Sequence, residues 1–455
     1  MASVKRQRVA IEPLHVHEDH VYDVNSEEDT EDAMDESRDP LEESGGTRDD
    51  SSEEELEDAV ALDIQNFEQT FKDINKRYRL INRIGEGTFS TVYKAEDLLY
   101  DSYENAWDVE EKENALSGKR SRERRPRFVA IKKIYVTSSP IRILNELELL
   151  HDLQKSANVS PLITAFRHAD QVVAILPYFQ HKDFREYFRD MTIAEMRIYF
   201  HSLFVAVEAV HEEHIVHRDI KPTNFLYSPA KKRGVLVDFG LAEREGTDWS
   251  RCHCNFSQDE RRAQVTSSIY YKRRGGGGLP AVPTYPKEDN RHSRRANRAG
   301  TRGFRAPEVL VKCTTQTSKI DIWSCGVILL TLLTRRFPFF HSADDIDAFI
   351  ELATIYGRKA MAGTALLHGQ VLQTNIPSIS ETGHTWEKVI NWCLNRKKDY
   401  VITEEENEAI DFMDLCLQLN PDRRFTATDA LQHPFIQKRE VDGVPKDGSD
   451  AMYLD

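Results

Sequence analysis

Two runs of alternating apolar and polar residues in YRLINRIGEGTFSTVYKAED, residues 78–97, meet at a glycine turn and predict an antiparallel strand pair. FVAIKKIYV, 128–136, predicts a third strand, IRILNELELLHDLQ, 141–154, a helix, and ITAFRHAD and QVVAILPYF, 163–179, two more strands. Ahead of them DIQNFEQTFKDINKRY, 63–78, has the spacing of an amphipathic helix. From Phe184 onward the apolar rhythm turns helical. YFHSLFVAVEAVHEEHIV, 199–216, predicts a buried helix and GVLVDFG, 234–240, a short buried strand. KIDIWSCGVILLTLLTRRFPF, 319–339, is apolar on every side, as a fully buried helix must be, and NEAIDFMDLCLQLN and TATDALQHPF predict closing helices.

Polar stretches interrupt this pattern at about 101–126, 244–299 and 357–403, and read as insertions. Residues 1–63 hold 22 acidic against 5 basic residues, a balance of −17, leaving +2 from the chain's −15 for the remainder. Such an acidic segment with few aromatics predicts a disordered tail, either a solvated one or a docking segment with Ser26, Ser51 and Ser52 as phosphoacceptors. The six cysteines are sparse and do not suggest a secreted disulfide framework. The amino terminus lacks the apolar core of a signal peptide, and no apolar run approaches membrane-spanning length, so a soluble protein is expected.

The chemistry sits where charge interrupts the apolar pattern. VHRDIKPTNFLY, 216–227, puts Arg218, Asp219, Lys221 and Asn224 between a buried helix and a buried strand. Buried charge costs several kcal/mol unless it is paired or used. GEGTFS, 85–90, taken alone is an ordinary hairpin, but its small residues also let backbone amides approach phosphates, with Thr88 and Phe89 at the tip. In VAIK, Lys132 alternates with Val129 and Ile131 and needs an anion. Of the two acids on the next helix, Glu146 shares the apolar register with Leu150, whereas Glu148 faces elsewhere, so Lys132 pairs with Glu146. Lys133 points the other way, toward solvent.

GEGTFS with Val92, VAIK, HRDIKPTN, DFG and APE, in that order, resemble a eukaryotic protein kinase over residues 78–437. The resemblance implies an α+β, bilobal kinase fold with a small β-rich N-lobe at about 78–179 and a larger helical C-lobe at about 180–437. The domain as a whole would span 64–437, followed by a tail at 438–455. It also implies ATP and magnesium as cofactors. Ile84, Gly85, Gly87 and Val92 would cover the nucleotide, and Ala130, Leu176, Pro177 and Phe179 would receive adenine. Lys132, fixed by Glu146, would hold the α and β phosphates, and Asn224 and Asp238 the magnesium. Asp219 would orient the substrate hydroxyl, Lys221 would neutralise the transferring phosphoryl group, and Thr301 would hydrogen-bond both. Asp321 and the Glu308–Arg424 pair would be structural, and Arg218 would meet an anion from the activation segment, although no acid is obvious there. Lys221 two residues after Asp219 implies a serine/threonine enzyme.

TSSPIRILNELELL, HRDIKPTNFLY, LVDFGLAE and GTRGFRAPEVL, with 71 residues from Asp238 to Glu308, resemble the cell-division-cycle-seven kinases. That family is the catalytic half of the DBF-four-dependent kinase that starts DNA replication. The resemblance implies a nuclear enzyme that requires a DBF-four-type regulatory subunit. Its substrates would be minichromosome maintenance helicase subunits, at Ser or Thr followed by an acidic or phosphorylated residue. Arg298, Arg302 and Arg305 would hold that group, or else fold against the acidic tail. KRQR at 5–8 and KRSRERRPR at 119–127 read as import signals or as solvated surface. No nucleic-acid site is evident. The alternatives are a self-sufficient casein-kinase-two-like enzyme, which the long insertion disfavours, and a pseudokinase scaffold, which the presence of Lys132, Asp219 and Asp238 disfavours. RCHC, 251–254, resembles the zinc-binding inserts of some family members. No CxxC follows it, and His253, His292 and Cys313 complete no ligand set, so zinc is not expected.

Overall fold

The computed structural model describes residues 50–87, 89–105, 107–108, 127–135, 138–156, 158–246, 251–267, 298–397 and 399–438. The acidic stretch before residue 50, KRQR, most of KRSRERRPR, Thr88, His292 and everything after residue 438 lie outside them. The chain divides into two compact units, Met1–Phe179 and Gln180–Asp455. No described helix is long and apolar enough to cross a membrane.

In the first unit, helix α1 (Asp50–Thr70) precedes strands β1 (Tyr78–Glu86), β2 (Ser90–Asp97) and β3 (Phe128–Ile134). Helix α2 (Pro140–Asp152) and strands β4 (Thr164–His168) and β5 (Gln171–Pro177) follow. The strands form one antiparallel sheet in the order β1-β2-β3-β5-β4. One core cluster joins the buried Tyr93, Val129, Ile131, Val173 and Ile175 of the sheet to Phe67 and Phe71, with Ile64 packed on its edge.

Three sequence expectations change here. The segment expected to be disordered up to residue 63 is helical from Asp50, because Ile64, Phe67 and Phe71 form an apolar stripe that seats on the sheet. The Tyr93 hydroxyl donates to Asp63 at 2.7 Å and ties the helix down. The helix stops at Thr70 rather than running to Tyr78, and a single 3-10 turn over Ile74–Lys76 leads into β1. The first residues of the 101–126 insertion are also packed: Trp107 meets the Tyr100 ring edge-on, and the Tyr100 hydroxyl donates to Asp108 at 2.8 Å.

The second unit begins with α3 (Phe184–Tyr187) and α4 (Ile193–Glu212), the latter opened by a reciprocal cap between Thr192 and Glu195. Three short strand pieces follow, β6 (Ile215–Val216), β7 (Phe225–Ser228) and β8 (Arg233–Leu236), and then β9 (Glu243–Arg244). The remaining elements are α5 (Gln258–Ser267), α6 (Pro307–Leu310), α7 (Lys319–Thr334), α8 (Asp345–Tyr356), α9 (Arg358–Leu367), α10 (Trp386–Cys393), α11 (Glu404–Cys416), α12 (Ala427–Gln432) and α13 (Pro434–Gln437). Helix α7 is buried from Ile320 to Thr334, as its uniformly apolar sequence requires. The 357–403 stretch, read as an insertion, carries α9 and α10. Its turns are anchored by backbone bonds such as Arg358 N to Ser380 O at 2.9 Å.

Candidate active site

In the first unit, Lys132 Nζ lies 2.6 Å from Glu146 Oε1, and both side chains are buried. Period-2 alternation on β3 and the apolar register of α2 are sufficient to bring them together. Lys132 sits opposite Val92 on β2 and Ala174 on β5, and Ala130 sits opposite Leu176. The half-buried Val92, Ala130 and Leu176 therefore share the sheet face that carries the ammonium, away from the Val129 and Ile131 core. Pro177 closes β5, and Phe179 is the last residue of the unit. The flap is set by Gly87 N donating to Ser90 O at 2.9 Å, with Gly85 opposite Val92 and Ile84 exposed. Lys133 is not simply solvated: its ammonium stands 5.7 Å from the centroid of the Phe67 ring.

In the second unit the catalytic loop hangs from one buried carboxylate. Asp321 Oδ2 accepts from His217 N at 2.8 Å and lies 3.0 Å from His211 Nε2, while Oδ1 accepts from Arg218 N at 2.8 Å. Burial alone raises the Asp321 carboxyl, but the hydrogen bond and charge of His211 and the His217 amide hold it below the ordinary range. Asp219 Oδ1 accepts from both Thr301 N and Thr301 Oγ1 at 2.8 Å. Lys221 Nζ donates to Thr301 Oγ1 at 2.7 Å and stands 3.3 Å from Asp219 Oδ2. This close approach needs Gly300, whose φ is +99° and where a Cβ would lie 2.2 Å from the Arg218 carbonyl oxygen.

Asn224 Nδ2 donates to Asp219 O at 2.9 Å and to Asp219 Oδ2 at 3.0 Å, so in this amide orientation Oδ1 is the atom that would face a metal. Asp238 is exposed with φ +66°, a strained backbone that Asp tolerates better than most residues. It follows Val237, whose N–H donates to Asn224 O at 2.9 Å. One amide oxygen and one carboxylate are hard donors that fit magnesium; Asn224 and Asp238 would hold that ion, which would supply charge neutralisation to a phosphate substrate. Glu308 and Arg424 form a buried bidentate pair at 2.5 and 2.7 Å, away from this chemistry.

Arg298, Arg302 and Arg305 converge on Asp345 at the start of α8, at 3.3, 3.9 and 2.7 Å. Asp345, an acid of the same unit, is thus a shared counter-ion of these arginines, which their spacing in sequence does not announce. The activation segment also supplies the acid not found for Arg218, namely Glu243, with Arg218 Nη2 2.9 Å from Glu243 Oε2.

Cys252 and Cys254 do have further metal-ligating side chains beside them, contrary to the expectation that no ligand set is completed. Cys252, Cys254, Cys313 and His368 bring one ligand atom each within 4.8 Å of one another. Cys254 Sγ is 3.8 Å from Cys313 Sγ, and Cys252 Sγ is 3.7 Å from His368 Nδ1. Hydrogen bonds from the Cys254 and Cys313 thiols hold the Cys252 thiol far below its ordinary range. Thr315 N donates to Cys313 Sγ at 3.4 Å, the kind of amide contact that steadies a thiolate ligand. Three thiols and one imidazole at these separations fit a closed, tetrahedral zinc site. Cys313 is among the donors the sequence offers, but His368, 116 residues beyond Cys252 and just past the end of α9, carries no local signal that joins it to them.

The protein kinase domain family matches residues 116–259 and 286–436. The chain is 44% identical over 420 residues to the cell cycle serine/threonine-protein kinase hsk1 of Schizosaccharomyces pombe, covering 88% of this chain and 81% of that protein. It is 41% identical to the cell cycle protein kinase spo4 of the same organism, covering 86% of this chain and 91% of that protein. To the human cell division cycle 7-related protein kinase it is 26% identical, covering 83% of this chain and 92% of that protein.

Proposed function

The chain belongs to the protein kinase family, among its cell-division-cycle-seven serine/threonine kinases, and on that premise we propose that it transfers the γ-phosphoryl group of ATP to Ser or Thr followed by an acidic or phosphorylated residue. The substrates on this reading are subunits of the minichromosome maintenance helicase, the setting is the nucleus, and a DBF-four-type regulatory subunit is required. The carrying observation is the arginine cluster. Three guanidiniums converge on the carboxylate of Asp345 within four residues of Thr301, which binds Asp219. A carboxylate or phosphate on the substrate would accept hydrogen bonds from these fork-shaped guanidinium donors. The chain's own groups divide the work. Lys132, held by Glu146, takes phosphate oxygens, and Asp219, held by Thr301, orients the acceptor hydroxyl. Lys221 compensates charge on the moving group, and Asn224 and Asp238 would hold the magnesium that screens the phosphates.

The test is phosphate transfer from labelled ATP to a helicase-tail peptide and to versions with the following residue Glu, phosphoserine or Ala, with and without the co-expressed subunit. Preference for Glu and phosphoserine over Ala, seen only with the subunit, supports the reading. Equal turnover of all three peptides, or full activity without the subunit, refutes the corresponding part.

A further inference from the structure

Arg218 is an unusual residue to leave inside a protein. Its side chain is 4% exposed, its φ is +69°, and it directly precedes Asp219. Its backbone is fixed by Asp321, through the Arg218 N to Oδ1 bond. Its guanidinium is held by Glu243, 25 residues along the chain, at 2.9 Å. We propose that Glu243 is a positioning residue for catalysis. Its carboxylate stands where a phosphorylated activation segment would place its phosphate, so Asp219 is set without covalent modification of that segment.

Three features carry this. First, the placement of Glu243 is determined by backbone structure that needs no phosphate. Glu243 pairs with Val216, and Arg244 with Ile215, in the β6–β9 ladder two residues ahead of the catalytic loop. Second, the next residues lock the register from both sides. Glu245 N donates to His214 O at 2.8 Å, and the Glu245 carboxylate accepts from Ser318 N at the start of α7. The segment carrying Glu243 is therefore anchored to the same helix that provides Asp321. Third, the guanidinium is nearly dry and needs an anion, because a buried charge stripped of its partner is strongly disfavoured. Glu243 itself is 40% exposed, so it reaches inward from the rim, as an attached phosphate would. The carboxylate engages one of the three guanidinium nitrogens. Among the described residues Arg218 Nε and Nη1 are buried without a hydrogen-bond partner, which makes Glu243 a lighter anchor than a dianion.

The proposal concerns how the shown kinase activity is set and does not depend on which substrate is used. The full chain, purified with whatever subunit its activity requires, is treated with phosphatase, and the absence of phosphate between Asp238 and Glu308 is checked by mass spectrometry. The phosphate-free wild type should keep its kcat within twofold. Glu243→Gln, nearly isosteric, should lower kcat by roughly a hundredfold, the scale expected when a catalytic group is misplaced by about 1 Å. KM for ATP should stay within about twofold, because Lys132 and Glu146 are untouched. Glu243→Asp should recover part of the loss, which a merely structural contact would not require. Arg218→Gln combined with Glu243→Gln should fall no further than the worse single variant. Loss of wild-type activity on dephosphorylation would overturn the proposal, as would wild-type kcat in Glu243→Gln. Should the variants not fold, the phosphatase arm alone still decides.

Discussion

The Cys254 thiol lies 3.8 Å from that of Cys313, across 59 positions of the chain. That contact closes a loop whose middle carries the insertion between Asp238 and Glu308, and it does so beside the buried Cys252 and His368. A zinc ion shared by the four would hold the insertion's first residues to the ends of α6 and α9. Elemental analysis should find about one zinc per chain. Cys254→Ser and Cys313→Ser should each lose it, whereas Cys325→Ser, buried in α7 outside the cluster, should retain it. Metal removal by a chelator should lower the melting temperature by about 2–4 °C for each kcal/mol of lost binding. A metal-free wild type with unchanged melting in the Cys254 variant would eliminate the site.

Lys132 and Glu146 divide stability from chemistry. Removing the carboxylate with Glu146→Ala takes a 2.6 Å partner from a buried ammonium and should lower stability in denaturant unfolding by about 1–3 kcal/mol. Lys132→Arg keeps the charge and should cost far less stability. It should nevertheless lower kcat/KM for ATP by roughly a hundredfold or more, because a planar fork does not reproduce a point ammonium at two phosphates. Equal losses of stability and turnover in both variants would show that the pair serves folding alone.

The Lys132–Glu146 contact was legible because strand and helix periodicities each fix a face, and only 14 residues separate the partners. Asp219 and Thr301 are 82 apart, and their meeting was legible only through the kinase resemblance. Glu243, Asp345 and His368 were not legible. Each is an ordinary residue in an ordinary context, and its role arises from a fold that brings distant turns together. The helix from Asp50 is hidden in the sequence for a different reason. Its acids dominate the composition, while three apolar positions, Ile64, Phe67 and Phe71, decide whether it docks.

Docking of α1 makes a direct prediction. Phe67 is fully buried and stacks on Tyr93 with ring centroids 5.2 Å apart. Phe67→Ala should therefore destabilise the first unit by about 3–5 kcal/mol, as core aromatic truncations do. Gln65→Ala, on the exposed side of the same helix, should stay within about 0.5 kcal/mol of wild type. Unfolding followed by urea should separate them, and coincident curves would place the helix outside the folded unit.

Asp321 sets the acid limit of the catalytic loop. Its carboxyl titrates below the ordinary value of 3.8 in the folded chain, since His211 and two loop amides hold the charged form against the cost of burial. The unfolded chain then binds the proton first as pH falls. Its stabilisation is full above the unfolded value and drains away as pH drops through the lower folded value. Asp321→Asn has no such proton to gain. The variant should be less stable than wild type at pH 7, and the gap should narrow below about pH 4. Urea midpoints measured from pH 7 to pH 3 give both curves. Other carboxylates contribute equally to each, so the narrowing belongs to Asp321. A gap that stays constant or widens toward acid would mean that the carboxylate is not held in its charged form, and the loop would then have to be positioned by Glu243 and Thr301 alone.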